Sequence, residues 1–184
     1  ILDINRSAGE DPAALARLCL LLETASLVIA EAHPSRELYG LLKSGLEHVR
    51  REPDSDRWAV TYCFRMLAAA GYEPMLDSCV ICGGAPDPKE CLFDCAEGGA
   101  VCSSCAGAGR ASGKQGMSAA VSLDTARTLR ALMAAPEESV SRFNFTRRSL
   151  RQARDILYPF IAYHLGREPR SLAFLNELRR AGRR

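Results

Sequence analysis

Two paired-cysteine motifs constrain this chain most: Cys79-Val80-Ile81-Cys82 and Cys102-Ser103-Ser104-Cys105, with 19 residues between them. A CxxC turn directs two thiolates toward one point, and two such turns supply the four soft ligands that suit tetrahedral Zn²⁺. Each motif lies near a glycine pair, Gly83-Gly84 or Gly98-Gly99, which permits tight turns. The spacing therefore predicts a zinc ribbon with one structural zinc ion. Its expected ligands are Cys79, Cys82, Cys102 and Cys105.

The composition indicates a helical protein of a reducing compartment. Of 184 residues, 47% are hydrophobic and only 7% aromatic, so leucine and alanine, which favour helices, carry the core. Eight cysteines in a chain of this length, without a signal peptide, indicate metal ligands and reduced thiols, and hence a cytoplasmic protein. The most apolar segment, Leu15 to Ala30, contains Arg17 and Glu23 and is shorter than a membrane span requires, so we expect no membrane association.

Apolar residues at helical spacing predict helices on both sides of the cysteine motifs. We expect them at about 12–33, 35–49, 56–71, 122–136, 146–166 and 172–180. Asp11, Ser35, Asp56 and Ser171 are the expected capping residues of four of them. Pro159 is expected to kink or break the long helix near the C-terminus. The predicted fold is mainly α: a helical bundle domain with an inserted four-cysteine zinc ribbon.

The chain divides into three predicted regions: a helical region at 1–71, the ribbon insert at 72–113, and an arginine-rich helical region at 114–184 that packs on 1–71. The middle region holds six of the eight cysteines and has no apolar periodicity. We therefore expect a metal ion, and not a hydrophobic core, to organise it. Short strands are expected near Cys91 to Phe93 and near Ala100-Val101.

Positive charge is concentrated at the C-terminal end. Residues 1–141 contain 13 Lys and Arg against 19 Asp and Glu (net −6), whereas residues 142–184 contain 11 Arg against 3 acids (net +8). Arginine binds phosphate bidentately and stacks on bases, so this region is a candidate surface for nucleic acid or an acidic peptide. The alternative is that these arginines pair with acids of the same domain. The candidate contacts are Arg147, Arg148, Arg151, Arg154, Arg167 and Arg170.

The other cysteines and the histidines have simpler interpretations. Cys91 and Cys95 lie between the CxxC pairs and are candidates for alternate ligands or a second half-site. They are separated by three residues and not two, however, and four thiolates already complete a tetrahedron. Cys19 and Cys63 fall on apolar helix faces, where buried inert thiols are the rule. His33, His48 and His164 are expected at surfaces or helix ends.

Catalysis is not expected. Four cysteines close the coordination shell of a zinc ion, and no Ser/His/Asp order, Walker loop or HExxH motif is present.

One helix carries a cluster of large apolar residues that form either the core or a groove for a partner peptide. These residues are Trp58, Tyr62, Phe64 and Met66.

Three stretches resemble the bacterial RecO recombination-mediator family. Gly71 to Gly83 (GYEPMLDSCVICG) is similar to the entry into that family's zinc finger, and Phe93 with Gly98 to Cys105 is similar to its exit. Ile161 to Glu168, with Ser171 and Phe174-Leu175, resembles the family's closing pattern. The resemblance extends over essentially the whole chain.

This resemblance implies a non-catalytic DNA repair protein. Members of the family bind single- and double-stranded DNA, anneal complementary strands and contact the acidic C-terminal tail of single-stranded-DNA-binding protein. With RecR they load the RecA recombinase onto coated strands, and the zinc site of zinc-bearing members is structural. The family begins with an OB-fold, and we expect no more of it here than a possible trailing edge at 1–5. The location implied by the resemblance is cytoplasmic and nucleoid-associated.

Two alternatives stay open. A zinc-ribbon transcription or translation factor would present the ribbon to nucleic acid, but residues 72–113 contain six acids against Lys89 and Arg110, and such a ribbon should repel phosphate. A thiol oxidoreductase would use one CxxC at a helix start in a βαβ context, and no such context is visible.

Overall fold

The structure, a computed structural model, describes residues 11–31, 35–53, 55–86, 90–111 and 117–181. The helices are α1 (Pro12–Glu31), α2 (Arg36–Arg51), α3 (Asp56–Ala69), α4 (Ser103–Gly107), α5 (Leu123–Ala134), α6 (Arg147–His164) and α7 (Arg170–Ala181), and a 3₁₀ helix spans Glu137–Arg142. Three of the features considered above, the segment 1–5, His33 and Lys89, lie outside the described residues. The prediction of a mainly helical protein is confirmed.

A small antiparallel sheet lies between α3 and α5 in the chain. Its strands are β1 (Glu90–Asp94), β2 (Gly99–Val101) and β3 (Ser118–Ser122), in the order β2-β1-β3. β1 and β2 match the two strands expected from the sequence. β3 was not predicted, because its sequence Ser-Ala-Ala-Val-Ser consists mainly of small residues with little strand preference.

Most predicted helix boundaries are confirmed by capping hydrogen bonds. The carboxylate of Asp11 accepts from the backbone N–H groups of Ala13 and Ala14 at the start of α1. The Ser35 hydroxyl likewise accepts from the N–H of Leu38 at the start of α2. α3 ends just before Gly71, whose positive φ of 89° is a conformation that glycine adopts without strain.

Two predicted caps are wrong. The cap of α3 is Ser55, whose hydroxyl accepts from the N–H of Arg57, and Asp56 is the first helical residue. Ser171 does not cap α7, because it lies inside the first turn, and its N–H and hydroxyl both donate to the Glu23 carboxylate, at 3.0 and 2.7 Å. A carboxylate from α1 thus satisfies one of the N-terminal N–H groups of α7, a long-range contact that local sequence could not indicate.

Of the two outcomes predicted for Pro159, a kink or a break, the break is wrong, since α6 continues through this residue to His164. A proline here removes one backbone donor, and this usually costs about 3 kcal/mol in a helix interior. The side chains on both sides of it are buried in the core, so tertiary packing offsets the lost hydrogen bond. These flanking residues are Ile156, Leu157, Phe160 and Ile161.

α3 is the central helix of the bundle and contacts α1, α2, α5 and α6. Its four large apolar residues, Trp58, Tyr62, Phe64 and Met66, are all at most 1% exposed. The possibility that these side chains form a partner groove is therefore wrong, and they are core. α2 approaches α3 closely at Gly45, where an added Cβ would lie 2.9 Å from Tyr62.

The ribbon shares the main core, contrary to the expectation that a metal ion alone organises it. Leu76, Cys91, Phe93, Cys95 and Ala100 belong to the same cluster as the helices. The ring of Phe93 lies 5.9 Å from that of Phe160 on α6. The sheet is therefore anchored to the bundle by ordinary hydrophobic burial.

α1 is long and apolar enough to cross a membrane by length and composition alone. Half of its apolar stretch Pro12–Ile29 is buried within the protein. A core helix passes the same test, so this finding is weak evidence for a membrane span.

Candidate metal centre and arginine groove

The two CxxC motifs meet at one point, as the spacing predicts. In the first turn, Cys79 donates its N–H to Gly84 and accepts from Gly83, which takes a φ of 72°. In the second, Cys102 lies at the start of α4, and Ala106 donates to its carbonyl. These turns bring the four sulfur atoms within 4.8 Å of one another.

The donor set fits a tetrahedral ion. With metal–sulfur bonds of about 2.3 Å, the sulfurs of a tetrahedral zinc site lie about 3.8 Å apart. The Sγ atoms of Cys82 and Cys102, one from each motif, are 3.8 Å apart. Cys79 and Cys105 are buried, and Cys82 is exposed. The protein therefore has a cluster of four cysteines placed to bind a metal ion.

The protein environment prepares one thiolate in this cluster. Burial alone would raise the pKa of Cys79, but hydrogen bonds from the backbone N–H groups of Cys102, Cys82 and Ile81 lower that pKa to about 6. Burial, followed by hydrogen bonds to the other three thiols, raises the pKa of Cys105 to about 12. Four thiolates this close repel one another, and a divalent cation relieves that repulsion.

A small second core supports the metal centre. Cys79, Val101 and Cys105 are buried together, and Ile81 and Leu92 pack against them. At Gly99 strand β2 lies against the segment that contains Met75, because an added Cβ would be 2.4 Å from the carbonyl oxygen of Met75. The four-cysteine cluster thus lies against the face of the sheet that is turned away from the main core.

The other cysteines lie apart from this cluster. Cys91 and Cys95 are buried in the main core, and Cys95 donates its S–H to the carbonyl of Ile156 at 3.8 Å. Burial raises the pKa of Cys95 and of Cys63 to about 12 in each case. Cys19 is half-buried on α1. These positions agree with inert thiols, and the separate location of Cys91 and Cys95 argues against their acting as alternate ligands.

A groove of about 930 Å³ runs between α6, α7 and β3. Three of the six predicted arginines line it, Arg148, Arg151 and Arg154. Arg179 and Arg180 of α7 line it as well and were missed, although the Arg-rich C-terminal end was the visible signal. Arg147, Arg167 and Arg170 are exposed but do not line the groove, so their role stays a prediction.

Two arginines of the groove are anchored by Asp56. Its carboxylate forms ion pairs with Arg154, Arg179 and Arg17, and its side chain is 11% exposed. Burial would raise the pKa of Asp56, but Arg179, Arg17 and Arg154 outweigh that effect and hold the pKa below its usual value. For Arg154 the alternative of pairing within the domain is therefore correct. Arg151 and Arg180 are exposed.

The two described histidines are half-buried. The imidazole of His164, the last residue of α6, lies 2.9 Å from the carbonyl of Cys95 and thus links the helix to the sheet. His48 stacks on Trp58, with ring centroids 4.1 Å apart. Neither histidine belongs to the four-cysteine cluster.

Comparisons with known proteins identify relatives of this chain. The family model described as "Recombination protein O C terminal" matches residues 9–173. A DNA repair protein RecO from Desulfatibacillum aliphaticivorans is 36% identical over 154 residues, which cover 82% of this chain and 57% of that protein. RecO proteins from Syntrophus aciditrophicus and Myxococcus xanthus are each 33% identical, over 83% and 94% of this chain and 58% and 66% of their own lengths. The chain thus spans less than two thirds of these relatives.

Proposed function

Because this chain belongs to the RecO family of DNA repair proteins, we propose that it acts as a non-catalytic mediator of DNA repair and recombination. It binds single- and double-stranded DNA and promotes the annealing of complementary strands. With RecR it helps load the RecA recombinase onto single strands coated by single-stranded-DNA-binding protein, whose acidic C-terminal tail it contacts. It acts in the cytoplasm, in association with the nucleoid.

The observation that carries this proposal is the arginine groove. Arg148, Arg151 and Arg180 line one concave surface together with Arg154 and Arg179, and Asp155 is the acid among its lining residues. Arginine binds phosphate oxygens without reading base sequence, which suits a protein that must act on any strand. Arg154 and Arg179 are held in place by Asp56, so part of the basic surface is preorganised before a ligand arrives.

In this proposal the ribbon has a structural role. One zinc ion is bound by Cys79, Cys82, Cys102 and Cys105, and it fastens the two knuckle turns together. Among the described residues of the ribbon, three exposed acids, Glu73, Asp77 and Glu97, stand against one base, Arg110, so this part of the ribbon offers phosphate no basic surface. A ribbon factor that contacts nucleic acid through this insert is therefore disfavoured.

The proposal is tested with the variants Arg151→Gln and Arg180→Gln, alone and combined. Both side chains are exposed in the groove, so the substitutions remove charge without leaving a buried partner. We expect the double variant to bind a fluorescent oligothymidine strand about tenfold more weakly at low salt. With fewer phosphate contacts, binding releases fewer counterions from the DNA and is less favourable. The slope of log K against log [NaCl] should fall by about one per arginine. Fluorescence anisotropy over a salt series gives both quantities.

Arg50→Gln is the matched control, because Arg50 is exposed on α2 and does not line the groove. Its affinity and salt slope should equal those of the wild type. A double variant that binds DNA like the wild type would refute the groove as the DNA surface. Wild-type binding that is insensitive to salt would refute phosphate contact altogether.

A further inference from the structure

The two edges of the small sheet differ in how their main-chain groups are satisfied. On the β2 side, Ala100 donates its N–H to Met75 at 2.7 Å and accepts from Val80 at 2.9 Å. Met75 also donates to Gly98. The first knuckle of the ribbon therefore covers this edge, which is one of the usual ways to protect a sheet against unwanted pairing.

Within the described part of the chain, no strand pairs with the outer edge of β3 over most of its length. Cys95 donates its N–H to Met117, and the register Phe93↔Ala119 follows from the same antiparallel ladder. In such a ladder alternate residues face the partner strand, so Ser118, Ala120 and Ser122 direct their N–H and C=O groups away from β1. At Ser122 this outward N–H donates to the side-chain oxygen of Gln152 at 3.3 Å. The side chain of Gln152 thus takes the hydrogen bond that a further strand would accept, but only at the C-terminal end of β3.

Ser118 and Ala120 carry the remaining outward groups of β3. Both residues are exposed, and their backbone N–H and C=O groups form no hydrogen bond to another described residue. The segment carries no charge, proline or bulge that would discourage pairing. An open edge of this kind is a template for an additional strand.

The open edge forms one wall of the arginine groove. Ser118, Ala119 and Ala120 line it together with Arg148, Arg151 and Arg180. A chain that pairs with this edge therefore lies against a basic surface. Carboxylates match these guanidinium groups in charge and in hydrogen-bond geometry. A nucleic-acid strand also satisfies the arginines, but it has no alternating N–H and C=O groups to pair with the edge.

We propose that an extended acidic polypeptide segment binds in this groove as a fourth strand, antiparallel or parallel to β3. Its main chain pairs with Ser118 and Ala120, and its carboxylates contact Arg148, Arg151 and Arg180. This inference rests on the proposed function insofar as the same groove accepts anionic partners. It adds a mode of recognition, main-chain strand addition, that DNA binding does not use.

The first test uses a fluorescent, N-acetylated peptide of alternating aspartate and valine residues, titrated into the protein. The control peptide has the same sequence with N-methyl groups on alternate amides, which keeps its charge and blocks pairing along one edge. We expect the N-methylated peptide to bind at least about tenfold more weakly, the equivalent of one or two lost hydrogen bonds. Equal affinity of the two peptides would overturn strand addition and indicate binding by charge alone.

The second test uses Ala120→Pro with Ala120→Thr as the matched control. Proline removes the outward N–H and is tolerated at a strand edge on its unpaired side, whereas threonine keeps the N–H and suits a strand. We expect Ala120→Pro to lose peptide affinity by about tenfold and Ala120→Thr to retain it. Far-UV circular dichroism and zinc content establish that both variants are folded. Retained peptide binding by a folded Ala120→Pro variant would overturn the proposal.

Oligothymidine binding by the same variants separates the two proposals. Strand addition predicts that Ala120→Pro weakens peptide binding far more than oligothymidine binding, because DNA does not use the outward N–H. Loss of DNA binding in Ala120→Pro in parallel with the peptide would overturn strand addition, because DNA does not use that N–H. Failure of the arginine variants to affect DNA would refute the proposed DNA surface and leave the peptide result to stand by itself.

Discussion

The guanidinium of Arg179 lies 2.8 Å from the carboxylate of Asp56, and this ion pair joins α7 to the first turn of α3. The same carboxylate binds Arg154 of α6 and Arg17 of α1. Asp56 is therefore the point at which four helices are held together by charge. The arginine-rich end of the chain has two roles, since part of it anchors the bundle and part of it faces solvent.

We predict that Asp56→Asn destabilises the protein by about 3 kcal/mol, because it leaves three partly buried guanidinium groups without their counter-charge. The free energy of unfolding in urea measures this effect. Asp77→Asn is the control, because Asp77 pairs with Arg130 at an exposed site where both side chains are more than half exposed. Exposed pairs contribute about 0.5 kcal/mol or less. Equal losses in the two variants would contradict a special role for Asp56.

The contribution of Asp56 should depend on pH with a defined sign. The pKa of Asp56 is lower in the folded protein than its ordinary value of 3.8, because Arg179, Arg17 and Arg154 stabilise the carboxylate. A group with a depressed pKa stabilises the fold above its unfolded pKa and loses that contribution as the pH falls through the folded pKa. The stability difference between wild type and Asp56→Asn should therefore be constant from pH 7 to about 5 and shrink below about 4. Urea unfolding over this pH series measures it, and a difference that grows on acidification would contradict the assignment.

The zinc content of the protein should depend on the four clustered cysteines and not on the other cysteines. We expect the wild type to contain about one zinc ion per chain, and Cys79→Ser or Cys105→Ser to contain almost none, because a three-thiolate site loses most of its affinity. Cys19→Ser is the control, since Cys19 lies on α1 outside the cluster. Elemental analysis of the purified proteins gives the stoichiometry. A metal-free wild type would contradict the structural zinc.

The metal-free variants should keep their helices. The main core includes residues of the ribbon such as Phe93 but excludes Cys79 and Cys105, which belong to the small second core. Far-UV circular dichroism should therefore change little when zinc is lost. Collapse of the helical signal on chelation would show that the bundle depends on the metal.

Replacing either of two glycines of α2 by alanine should change the stability of the protein, in opposite directions at the two positions. At Gly45 a new Cβ would lie 2.9 Å from the Cβ and Cγ of Tyr62, so Gly45→Ala should destabilise by about 1–3 kcal/mol through overpacking. At Gly40 nothing lies within 4 Å, and Gly40→Ala should stabilise by about 0.5–1 kcal/mol through helix propensity. Melting temperatures of the two variants measure the contrast. A stabilising Gly45→Ala would contradict the close approach of α2 and α3.

Several features could be read from local sequence because their causes are local. Two thiols spaced for one turn, a serine or aspartate before an apolar periodic segment, and a glycine after one predict structure within a few residues. The CxxC pairs, the caps Asp11 and Ser35, and the stop before Gly71 are of this kind. The wrong cap at Ser171 and the unbroken helix at Pro159 have distant causes, a carboxylate 148 residues away and packing on both sides of a helix.

The sequence by itself determined the mainly helical class, the meeting of four thiols and the concentration of arginine near the C-terminus. Only the tertiary structure decided which arginines form ion pairs with Asp56, that the large residues of α3 are core, and that β3 leaves an open edge beside the arginine groove. The physical reason is range. Capping, turn and metal-ligand preferences act between near neighbours in the chain, whereas burial, ion pairing and strand exposure depend on which distant segments come together.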